Sequence, residues 1–152
     1  MTRIVIETWI AAPPERVFDL ARDVGAHAES SSFTHERIVP PGRTSGLLEA
    51  GDLITFEGVH FGLRQRITAK ILEMDPPRIF VDELVRSAFK RLRHVHEFEP
   101  SNGGTLMRDT LEWTSPFGLL GRIADRVAVI RHMTWFVTTK QNALKRIAEV
   151  AG

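Results

Sequence analysis

Cysteine is absent from the 152 residues, which removes disulfide scaffolds, thiolate zinc sites and cysteine nucleophiles in one step. Long apolar runs are absent too: nowhere do the ~18 consecutive apolar residues of a bilayer-spanning helix occur. Net charge is almost absent, with Lys plus Arg at 20 against Asp plus Glu at 19, a formal +1. No sequence-wide electrostatic grip on nucleic acid or anionic lipid is therefore implied. No serine sits in a G-x-S-x-G elbow, and Gly25, Gly58, Gly62 and Gly103-Gly104 form no G-x-G-x-x-G. Neither a hydrolase nucleophile nor a phosphate cradle is signalled. The opening stretch is interrupted by Glu7 and Pro13-Pro14, unlike the unbroken apolar region of a secretory signal. The expectation is a cytoplasmic protein, monomer or homodimer, with no nucleic-acid partner and no stable membrane insertion.

What is present is ordinary globular material, 43% hydrophobic and 26% charged. One domain over residues 1–152 is expected from the length, large enough to bury about 68–70% of its unfolded surface. Residues 3–10 are β-branched and aromatic, as a half-buried strand requires. Pro13-Pro14 ends it, and residues 14–22 place Val17, Phe18 and Ala21 on one helical face. Residues 23–32 suggest a second short helix, with Gly25 as the break between the two.

From about 36 to 115 the period becomes two. Strands are expected at 36–40, 51–58, 61–74, 78–86, 91–99 and 104–114, separated by Pro, Gly, Asn and Asp clusters that favour tight turns. Short separators make neighbours antiparallel. From Gly121 to Val150 the spacing is helical again, with Ile123, Val127, Ile130, Met133 or Thr134, Val137, Leu144 and Ile147 as the apolar stripe. Arg122, Arg126, Arg131, Lys140, Lys145 and Arg146 fall off it. The fold class is α+β: one strand, two short helices, six strands, and a long C-terminal helix.

This order resembles the SRPBCC superfamily, the START and birch-pollen-allergen type with the helix-grip fold. The run Ile10-Ala11-Ala12-Pro13-Pro14-Glu15-Arg16-Val17-Phe18 looks like that superfamily's first strand entering its first helix. A bacterial ligand-binding branch is similar at Pro77-Arg78-Ile79-Phe80-Val81-Asp82-Glu83, His94-Val95-His96-Glu97-Phe98, Gly103-Gly104-Thr105, Asp109 and Ser115-Pro116-Phe117-Gly118. The resemblance implies a curved antiparallel sheet of about seven strands gripping the long helix around a cavity. It implies a small apolar or amphipathic ligand, such as a lipid, polyketide or quinone, with no cofactor. Fold alone does not choose between carriers and enzymes.

Alternation assigns the faces independently. Leu92, His94, His96 and Phe98 share one face, and Thr105, Met107, Asp109, Leu111 and Trp113 share the matching one. The opposite faces hold Arg93, Glu97, Arg108 and Glu112 and suit solvent. His94 and Asp109 are then near cross-strand partners. On 61–74 the inward set is Phe61, Leu63, Gln65, Ile67, Ala69 and Ile71, with Arg64, Arg66, Thr68 and Lys70 outside. On 78–86 either Phe80, Asp82 and Leu84 or Ile79, Val81, Glu83 and Val85 could face in; the first set is favoured because it shares parity with the family-like Phe-x-Asp. Trp9, Trp113, Trp135 and the phenylalanines read as core, some doubling as ligand wall.

The expected ligand-binding residues are thus Gln65, Ile67, Phe80, Asp82, His94, His96, Phe98, Met107, Asp109, Leu111 and Trp113 from the sheet. Val127, Ile130, Thr134 and Val137 join them from the helix. His94, His96, Asp109 and Gln65 are expected to orient the ligand, with a purely structural network as the bland alternative. Two imidazoles and a carboxylate also suit zinc or iron, but no metal is expected. The alternative function is an enzyme of the same fold, a cyclase or hydrolase using the His/Asp cluster.

Overall fold

The computed structural model describes residues 1–150. Strand β1 (Thr2–Ile10) alternates in burial residue by residue, the mark of one covered and one open face. Helix α1 (Pro14–Arg22) starts with Pro14 in its first turn, where a missing N–H costs no hydrogen bond. Helix α2 (Val24–Ser30) is capped by the Asp23 carboxylate, which accepts from the backbone N–H of Gly25 at 2.7 Å and of Ala26 at 3.4 Å. The break between the helices is therefore Asp23, with its extended backbone, and Gly25 lies inside α2.

Six strands follow: β2 (Arg37–Val39), β3 (Leu53–His60), β4 (Leu63–Asp75), β5 (Ile79–Arg86), β6 (Arg91–Ser101) and β7 (Gly104–Thr114). They form one seven-stranded sheet in the order β1-β7-β6-β5-β4-β3-β2, with antiparallel neighbours throughout. Two of the turns are two-residue turns with positive φ at both central positions: Phe61-Gly62 at 54° and 72°, and Asn102-Gly103 at 48° and 77°. That backbone matches the twist of the flanking strands.

The C-terminal third is one helical run with a defect in it. Helix α3 (Gly118–Ala124) passes into a π-helical turn (Asp125–Val129) and then into α4 (Ile130–Val150). At Gly121 any Cβ would collide with the Pro116 carbonyl, so only glycine lets the helix start against that loop. The π turn adds a residue per turn and rotates everything before it relative to α4. Ile123 and Val127, expected on the inner stripe, are accordingly 51% and 67% exposed, and Thr134 also faces out. Ile130 is half-buried at the edge of the contact.

The core lies between the concave sheet face and the helices. Leu144 and Ala148 of α4 pack with Ile10, Phe18, Phe80, Phe98 and Met107. Val137 packs with Leu92, Leu111 and Trp113. Of the tryptophans only Trp113 is core, fully buried, whereas Trp9 and Trp135 are 41% and 51% exposed. Trp9 lies on the convex side, its indole N–H donating to Ser101 O at 2.8 Å. Leu63, at the hairpin tip beyond the helix, is exposed and Phe61 half-exposed. Thr68 is buried rather than solvent-facing; Thr55 links it at 2.8 Å to the chain at Pro41 folded over that face. No helix is long and apolar enough to cross a membrane among the described residues.

Candidate functional site

Between the sheet and the helices lies a cavity of about 410 Å³. Gln65, Ile67, Phe80, Asp82, His94, His96, Met107, Asp109, Leu111 and Val137 line it. Phe98 and Trp113 point the same way but are packed behind the wall, Phe98 against Phe18 and Phe80 and Trp113 against Phe89. Val127, Ile130 and Thr134 do not line the cavity: Val127 lies in the π turn, while Ile130 and Thr134 lie beside, not on, the face of α4 that presents Met133, Phe136 and Val137. The helix contributes Val129, Met133, Phe136, Lys140, Gln141 and Leu144 instead.

One polar cluster sits on β5, β6 and β7. The register pairs His96 with Asp109 and with Phe80, while His94 stands opposite Leu111 and Asp82. His96, not His94, is thus the direct cross-strand partner of Asp109. His96 Nε2 donates to Asp82 Oδ2 at 2.7 Å, and its Nδ1 lies 3.1 Å from Asp109 Oδ1. His94 Nε2 lies 3.2 Å from the same Asp109 oxygen. The two imidazoles stack at 3.7 Å, and Phe80 covers His96 at 4.1 Å. Gln141 on α4 donates to Asp109 Oδ2 at 2.7 Å and to Ile6 O at 3.1 Å. Its own Oε1 accepts from Thr8 at 2.6 Å.

A carboxylate at each ring nitrogen decides the protonation of His96. Burial works against its charge, but hydrogen bonds to Asp109 and Asp82 outweigh it and push its pKa up to about 9. Burial and then the neighbouring His96 charge push His94 down. Burial likewise opposes ionisation of Asp109, yet the two neighbouring histidines, His94 and His96, hold it well below the carboxylate range. The cluster therefore pairs one imidazolium with one neutral imidazole, face to face.

The second cluster was not legible in the sequence. Lys140 Nζ donates to the His27 ring, lying 2.8 Å from Nδ1 and 3.1 Å from Nε2. His27 Nε2 faces Glu36 Oε1 at 3.8 Å, and His60 Nε2 donates to Glu36 Oε2 at 3.3 Å. His60 Nδ1 in turn lies 3.1 Å from His132 Nε2, and Phe61 lies tilted against His132 at 4.2 Å. Burial, followed by the Lys140 charge, pushes His27 down to about 4. Burial pushes Lys140 down, against the pull of Glu36, Asp109 and Asp82. Burial opposes the Glu36 charge too, but the neighbouring His27 and the hydrogen bond from His60 hold it below the usual range. Helical phase was the missed signal: positions 133, 136, 140, 141 and 144 share a face of α4 at ordinary α-helical spacing.

Asp82, His94 and His96 bring one donor atom each to within 4.8 Å of one another, a spacing a cation could use. A metal there would need His96 to give up the proton it holds between two carboxylates, since a ligating imidazole is neutral.

A family model described as "Polyketide cyclase / dehydrase and lipid transport" matches residues 1–149. The chain belongs to that family. As an SRPBCC member it has the helix-grip fold, and the family is one of ligand-binding or cyclase-type proteins. No curated protein matches the sequence. Among solved structures, this family member is similar to TTHA0849 from Thermus thermophilus, at TM-score 0.81 and 21% identity over 99% of both chains. The Zhui aromatase/cyclase of a Streptomyces strain is similar at TM-score 0.76 and 16% identity, over 97% of this chain and 93% of that one. Ginseng major latex-like protein 151 from Panax ginseng is similar at TM-score 0.70 and 11% identity, over 97% of each. At these identities the likeness speaks for the fold.

Proposed function

We propose that this single domain binds and carries a small, largely apolar ligand that bears oxygen, in the cavity between sheet and C-terminal helix. The observation that carries the reading is a contrast within one cavity. Its walls include Ile54, Ile67, Ile71, Leu111, Met133, Phe136 and Val137, yet Glu36 Oε1, His94 Nε2 and Asp109 Oδ1 are buried in its lining without a well-directed hydrogen bond. Apolar walls supply affinity and a few polar groups fix orientation. Buried polar atoms left in this condition cost about 1–3 kcal/mol each, which a ligand with matching groups recovers. Gln65, Asp82, His94, His96 and Asp109 are the orienting groups, and Ile67, Phe80, Met107, Leu111 and Val137 the walls. The test is native mass spectrometry of freshly purified protein. A co-purifying small molecule released intact supports carriage, whereas stoichiometric zinc or iron in its place would replace this reading with a metal site.

A second reading, cyclase-type catalysis, is favoured by one specific observation: a charged His96 stacked on a neutral His94 is an acid beside a base. Such a pair can take a proton from carbon and return one to oxygen. Turnover of an aromatic polyketone that is lost in His94→Gln and His96→Gln, with binding retained, would establish it.

A further inference from the structure

Lys140 is the one lysine in the cavity lining, and neither cluster accounts for all of it. An ammonium has three N–H donors. Among the described residues the only hydrogen-bond partner of Nζ is the His27 ring, and no carboxylate lies within salt-bridge distance of it. The remaining donors face the cavity, where an ammonium without an acceptor is costly. His27 stacks on Phe56 at 4.8 Å and touches Glu36 through Nε2. Nζ lies 2.8 Å from Nδ1 and 3.1 Å from Nε2 of this ring, so the imidazole holds the Lys140 head in place rather than neutralising it.

The charge of the cavity selects what the free donors take. Three carboxylates (Glu36, Asp82 and Asp109) face it against two cations, Lys140 and His96. An anionic ligand would add to the excess of negative charge, whereas a neutral carbonyl oxygen accepts from Lys140 without doing so. We propose that Lys140, aimed by His27, is the donor that fixes a neutral ketone or enolisable diketone group of the ligand. The inference rests on the cavity holding a small apolar ligand and names the chemical class of that ligand.

Three molecules of nearly one shape test it: 2-acetylnaphthalene, 2-ethylnaphthalene and 2-naphthoate, titrated by calorimetry into the whole protein. The ketone should bind about tenfold or more tightly than the ethyl compound, as a hydrogen bond to a charged donor implies. Lys140→Met should remove that preference while leaving 2-ethylnaphthalene within about twofold of its original affinity. The carbonyl stretch of bound ketone should lie at lower frequency in the native protein than in Lys140→Met, a readout that a merely structural lysine would not move. If Lys140→Met does not fold, His27→Gln, which leaves the lysine in place but unaimed, should weaken the ketone selectively. Equal binding of ketone and ethyl compound overturns the lysine assignment and leaves the cavity reading standing. Tightest binding of naphthoate overturns it in favour of an anion site. Failure of all three to bind overturns the cavity reading together with the inference.

Discussion

His96 and His27 are two imidazoles in one cavity driven in opposite directions. Folding raises His96 from 6.5 to about 9, so its contribution is fully present below 6.5 and is lost as pH rises towards 9. Folding lowers His27 from 6.5 to about 4, so its neutral form favours the native state above 6.5 and stability falls as pH drops towards 4. Stability should therefore peak near pH 6.5 in denaturant titrations. His96→Gln should flatten the alkaline limb and His27→Gln the acid one; a limb unchanged by its variant would assign it to other groups. Asp109→Asn should cost about 1–3 kcal/mol and lower the His96 pKa, read by NMR titration of the ring. At this scale the sequence was informative where alternation is strict: His94, His96 and Asp109 all face inward, as period two requires, whereas on β5 both Phe80 and Val81 are buried and alternation alone left the face of Asp82 open. It was silent on Lys140 because a charge near a helix stripe reads as solvated, and only the packed cavity makes it otherwise.

Among the elements, the π turn has the widest effects. Its first residue, Asp125, accepts hydrogen bonds from Thr2 Oγ1 at 2.8 Å, Trp113 Nε1 at 3.1 Å and Ser115 Oγ at 2.5 Å. Three donors from β1, β7 and the following loop thus fasten the helix where it is irregular, and they satisfy a carboxylate that burial would otherwise penalise. Asp125→Ala should cost about 2–4 kcal/mol, since it strands the buried Trp113 indole N–H as well as removing charged hydrogen bonds. Thermal or chemical unfolding measures this, and a loss below about 1 kcal/mol would mean the π turn holds itself. The strands were legible to within two residues because turn chemistry and alternation agree there. A single inserted residue in a helix leaves no comparable mark in composition, so the outward turn of Ile123 and Val127 was not.

For the molecule as a whole, a cavity left in a core is a stability deficit that occupancy reverses. Any molecule bound only by the native state raises the melting temperature by mass action. A screen of quinones, aromatic ketones and fatty acyl compounds should therefore produce thermal shifts. Met107, at 2% exposure, lies in the cavity wall. Met107→Trp should fill the space and abolish those shifts while the empty protein stays folded. Shifts that survive in the variant would place the ligand elsewhere. The cavity itself followed from the resemblance rather than from any residue pattern, because volume is what remains after every side chain has been placed.

The uneven burial of the three tryptophans gives the protein a built-in optical gauge. Trp113 is fully enclosed while Trp9 and Trp135 stand in water, so emission should separate into a blue component and a red one. Iodide reaches only the second. Phe89 is in the cavity lining and 5.9 Å from the Trp113 indole, so filling the interior should perturb the blue component. Emission recorded with and without iodide then follows occupancy without any label attached to the chain.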